Sequence, residues 1–66
     1  MRMLSDVPLN EVKPGARVIS AIGNPGIIVF LKKDYHWGEN VFCLYWEYGK
    51  VSYIEHDLAD KIEYIE

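Results

Sequence analysis

The clearest pattern of apolar and polar positions runs from Val41 to His56. Phe42, Leu44 and Trp46 alternate with Val41, Cys43 and Tyr45, so each set lies on its own face of an extended strand. Glu47-Tyr48-Gly49-Lys50 interrupts the run, and Val51–His56 resumes it. Two strand-favouring stretches around a glycine-containing reversal predict a β-hairpin, with Phe42, Leu44 and Trp46 toward the core.

The remaining pattern predicts short strands and turns. Residues 1–11 show no periodicity. Leu4, Val7 and Leu9 could pack against the barrel, and Pro8 opposes a regular helix. Val12-Lys13-Pro14-Gly15 is a turn signature, and Arg17–Ile22 reads as the first strand of the unit. Gly23-Asn24-Pro25-Gly26 is a sharp loop with two glycines able to take positive φ. The second strand, Ile27–Lys33, does not alternate, which predicts that both faces are covered or that one end is capped. Asp34–Asn40 reads as a polar and aromatic hairpin loop of about seven residues. Asp57–Asp60 suits one 3-10 turn capped by Asp57. Lys61–Glu66 alternates Ile62 and Tyr64 with Glu63 and Glu66 and forms the last strand. The sum is an all-β domain of five short strands, with one 3-10 turn before the last. Rolling them into a barrel would hide their edges. Residues 1–11 read as an N-terminal extension and 12–66 as the barrel.

Composition restricts the function. The chain has 66 residues, half of them hydrophobic, with nine aromatic rings. That is one globular domain with a small core, in which large rings supply much of the buried area. Its single cysteine, Cys43, allows no internal disulfide, and Ile27–Leu31 is too short an apolar run to cross a bilayer. The N-terminus lacks the apolar run of a signal peptide, so a cytoplasmic setting without membrane contact is expected. The net charge is −3. The excess is C-terminal, where Lys50 and Lys61 stand against Glu47, Glu55, Asp57, Asp60, Glu63 and Glu66. This balance disfavours nucleic acid and favours a basic partner, unless it serves only as a solvated surface.

Pro14-Gly15-x-x-Val18, Gly26-x-Ile28, Val41 through Trp46-x-x-Gly49, then Leu58 and Ile62-Glu63, resemble the small SH3-like barrels of the Tudor, KOW and Mib/Herc2 kinds. The resemblance covers residues 12–66. It implies a five-stranded SH3-like barrel that binds peptides, methylated side chains, RNA or protein assemblies, often through aromatic residues on loops. The basic loop residues of a KOW domain are represented by only Lys32 and Lys33.

Among candidate sites, Tyr35, His36 and Trp37 stand out as three adjacent rings in a loop. With Tyr48 and Tyr53 they could line a wall for a ligand, a cation or a partner's hot spot. The structural alternative is that Trp37 plugs the open end of the barrel. His36 and His56 have no zinc-like spacing, so no metal and no cofactor are expected. Cys43 reads as a small buried residue. No Gly-rich phosphate loop and no catalytic pair can be named. The expected function is therefore a non-enzymatic protein-interaction module that binds a protein partner through these loop aromatics and the neighbouring acidic face, with Tyr35 and Trp37 as anchors and Tyr48 as a rim contact. The alternative is a nucleic-acid-binding module using Arg17, Lys32, Lys33 and stacked rings. Homodimerisation through an edge strand or an uncovered Trp stays open.

Overall fold

A computed structural model describes residues 2–32 and 40–65. Within them lie six short strands, all paired antiparallel, and three single-turn 3-10 helices, with no α-helix. The strands are β1 (Arg2–Met3), β2 (Arg17–Ile19), β3 (Pro25–Lys32), β4 (Val41–Trp46), β5 (Val51–Glu55) and β6 (Glu63–Tyr64). They form one open sheet in the order β1-β6-β2-β3-β4-β5. The all-β reading thus holds, with six strands where the pattern predicted five, because Arg2–Met3 pairs with β6. The first strand of the unit stops at Ile19, short of the expected Ile22. Ile22 instead lies in a turn and is 83% exposed.

The central hairpin forms as its alternation requires. Phe42, Leu44 and Trp46 all point into the core. Gly49 closes the turn with φ +96°, a conformation that costs a residue with a Cβ far more than it costs glycine. The Gly49 N–H donates to the Trp46 carbonyl at 2.8 Å. Trp46 also satisfies its buried polar atom, with the indole Nε1 donating to Ser52 Oγ at 2.9 Å.

Gly26 has a role the sequence did not suggest. It is a β3 residue, paired with both Val18 and Trp46, and not a positive-φ turn residue. A Cβ placed there would lie 2.6 Å from Trp46 Cε3 and 2.9 Å from the Tyr45 carbonyl oxygen. The indole can approach the strand backbone this closely only because that side chain is missing.

The irregular apolar run in β3 also has a local cause. Ile27 pairs with Tyr45 and Ile28 with Leu44, but the next partner, Cys43, faces Phe30. Val29 is the extra residue of a β-bulge. Ile28 is therefore buried, whereas Ile27, Val29 and Phe30 are each between 41% and 45% exposed. This corrects the expectation that both faces of the strand are covered.

The 2–11 segment packs into the same core as the hairpin. Leu4 and Val7 are fully buried, in contact with a cluster that includes Val18, Phe42, Leu44, Ala59 and Ile62. Two 3-10 turns, Leu4–Asp6 and Leu9–Glu11, carry the chain past Pro8. The Ser5 N–H donates to the Ala59 carbonyl at 3.1 Å, and His56 Nε2 meets the Val7 carbonyl at 2.8 Å. The His56 ring also stands edge-on to Phe42, with centroids 5.7 Å apart. The expected 3-10 turn before the last strand is present but begins at His56, not Asp57. Its N-cap residue is Glu55, and no side chain caps it.

Candidate functional site

The sheet has one face on the core, and its other face carries the surface of interest. The register defines that outer face in rows. One row runs Arg17, Ile27, Tyr45, Val51 across four strands. Ile65 extends it beside β2, its N–H donating to the Arg17 carbonyl at 2.8 Å. A second row runs Phe30, Cys43, Tyr53, and a third runs Lys32, Val41, Glu55. Cys43 and Val41 are buried although they belong to this face. Cys43 is thus the small buried residue its sequence context suggested.

The larger side chains of the face are open to solvent. Ile27, Phe30, Tyr45, Val51 and Tyr53 are all at least 41% exposed, and Tyr53 reaches 64%. They lie on three adjacent strands, so they form one contiguous area and not scattered positions. Strand spacing of about 4.8 Å brings them within side-chain reach of one another. A single exposed apolar residue needs no explanation, but a joined cluster does.

At the β2 end, the face deepens into an open groove of about 350 Å³. Its walls are Ile19, Pro25, Ile27, Tyr45 and Ile65, with Arg17 and Glu47 as its charged groups. Val18 and Gly26 complete its lining. Among the described residues, Arg2 pairs with Glu11 at 3.3 Å, and His56 Nδ1 lies 3.8 Å from an Asp57 carboxylate oxygen. Arg17 belongs to neither. Its guanidinium therefore projects from a strand flanked by isoleucines without a carboxylate partner among the described residues.

The residues singled out from the sequence fare differently. Tyr48 is in the β4–β5 turn and 60% exposed. Tyr35, His36 and Trp37 lie outside the described residues, as does Lys33. His56 is bonded to the Val7 carbonyl and turned toward the core side, away from the outer face. Among the described residues no group of three or more His, Cys, Asp or Glu side chains is placed to hold a metal ion. None of their helices is long and apolar enough to cross a membrane.

Sequence reasoning missed Arg17, Ile27, Tyr45 and Ile65 as neighbours. They are separated by up to 48 positions in sequence and meet only through strand register. The local signal available was the failure of alternation in Ile27–Leu31, which marks apolar residues that cannot all face inward. No family model matches the chain, and neither the curated proteins nor the solved structures contain a match to it.

Proposed function

We propose that this chain is a non-enzymatic SH3-like interaction module that binds a protein partner through the outer face of its sheet. One observation carries the reading: the joined area of Ile27, Phe30, Tyr45, Val51 and Tyr53, left open on three adjacent strands. Covering such an area removes apolar surface from water, worth roughly 25 cal/mol per Å² before the costs of association. Tyr45 and Tyr53 supply rings of the kind that anchor interfaces. Tyr48 lies at the hairpin end as a rim contact. The β2-to-β5 meander, the 3-10 turn and the return of β6 beside β2 support the SH3-like reading.

The test uses a displayed random-peptide library panned against the intact chain. Enriched peptides are then titrated into isotopically labelled protein by NMR. Shifts are expected at Ile27, Phe30, Tyr45, Val51 and Tyr53. They should disappear in a Phe30→Ser/Tyr45→Ser variant that keeps a dispersed amide spectrum and a cooperative melting transition. Peptides that map elsewhere, or none enriched, overturn the reading. Shifts on this face produced instead by an RNA or DNA oligonucleotide, and falling steeply with salt, would replace it with nucleic-acid binding.

A further inference from the structure

We propose that the groove around Arg17 selects a partner segment that presents a bulky apolar side chain beside a carboxylate. This inference rests on the outer face being a protein-binding surface and adds the chemistry of what is bound. Ile19, Ile27, Ile65 and Tyr45 offer an apolar seat of about 350 Å³, large enough for one or two side chains. Arg17 stands between Ile27 and Ile65, so an apolar group seated there has the guanidinium beside it.

The charges also orient the occupant. A guanidinium fork takes a carboxylate through two parallel N–H donors, a geometry that a point charge does not impose. Arg17 forms no ion pair with another described residue that a ligand would have to displace. Glu47 lies on the β4 side of the groove, two strands and two residues along from Arg17, or about 12 Å by strand geometry. An anionic group is therefore attracted to the β2 end and repelled from the β4 end. Seating the apolar group excludes water from beside the pair and strengthens it relative to an open surface pair.

N-acetyl-phenylalanine and its carboxamide are suitable probes, because they differ only in the charged group. Titration into the labelled chain should shift Ile19, Gly26, Ile27, Tyr45 and Ile65, with dissociation constants in the ~millimolar range expected of fragments this small. The acid should bind roughly three- to fivefold more tightly than the amide, the scale of a partly exposed ion pair. Arg17→Gln should erase that difference, and Glu47→Gln should widen it. Equal binding of acid and amide to the unaltered chain would overturn the carboxylate selection, yet leave the outer face as a protein-binding surface. Binding of neither probe in the groove, while enriched peptides still map to Phe30 and Tyr53, would also overturn it. Failure of the peptides to map to the face at all would remove the underlying reading instead.

Discussion

Gly26 shows how one missing side chain fixes the packing of a much larger one. The Trp46 indole occupies the space a Cβ would fill, at 2.6 Å, and the Tyr45 carbonyl closes the other side at 2.9 Å. One neighbour is a large ring in the core and the other is backbone, so neither yields at low cost. Gly26→Ala is expected to destabilise the fold by about 1–3 kcal/mol, the range of overpacked cores, even though alanine favours ordered backbone over glycine. Urea denaturation monitored by fluorescence measures this, and a neutral or stabilising outcome would show that Trp46 can shift. The burial of Phe42, Leu44 and Trp46 was legible from their spacing alone. That of Cys43 was legible from its residue type and apolar neighbours, but that of Val41 was not, because alternation assigns it to the outer face and says nothing of what covers it. Ile22 fails for the opposite reason. It has the right residue type for a strand, but the Gly23 N–H donates to the Ser20 carbonyl at 2.9 Å and turns the chain first.

At the scale of elements, the bulge at Val29 reconciles an apolar run with a one-sided core. Removing Val29 would leave Ile27 outward, Ile28 inward, Phe30 outward and Leu31 inward, which is strict alternation in the observed register. The Val29 deletion is therefore expected to fold cooperatively, with β3 straightened and the outer face less bent. A deletion that abolishes the dispersed amide spectrum would show that the bend itself is needed. The N-terminal elements depend on burial more than on charge. The Arg2–Glu11 pair is half exposed on both sides and contributes at most about 1 kcal/mol. Leu4 and Val7 are wholly buried, and truncating either large apolar side chain in such a site typically costs about 2–5 kcal/mol. Packing of Leu4 and Val7 on the barrel was expected from their residue type, but three apolar residues without a period do not say which neighbour each will meet. The site was less legible than the fold for the same reason. Arg17 and Ile65 become neighbours by pairing, and pairing across 48 positions leaves no local trace.

For the whole molecule, the Cα radius of gyration is 10.7 Å, close to the ~10.8 Å expected of a compact chain this long. The β1–β6 pairing joins residue 2 to residue 64, whereas β3, β4 and β5 are joined by short connections. Closing the longer loop costs more chain entropy, so the meander is expected to order first and the N-terminal segment last. In stopped-flow kinetics, Leu44→Ala should mainly slow folding and Leu4→Ala should mainly speed unfolding. The reverse pattern would place the chain ends in the folding nucleus. Cys43 turns this order into something that can be timed. It is the one thiol in the chain, 5% exposed, on a central strand between Phe30 and Tyr53. A thiol reagent can reach it only when its cover on the outer face opens, so its labelling rate counts openings of the native state. With fast reclosing, that rate should follow global stability across the variants above: Leu4→Ala and Gly26→Ala label faster, and surface changes such as Arg17→Gln do not. Rapid labelling indifferent to those variants would mean that the outer face opens on its own while the rest of the fold stays shut.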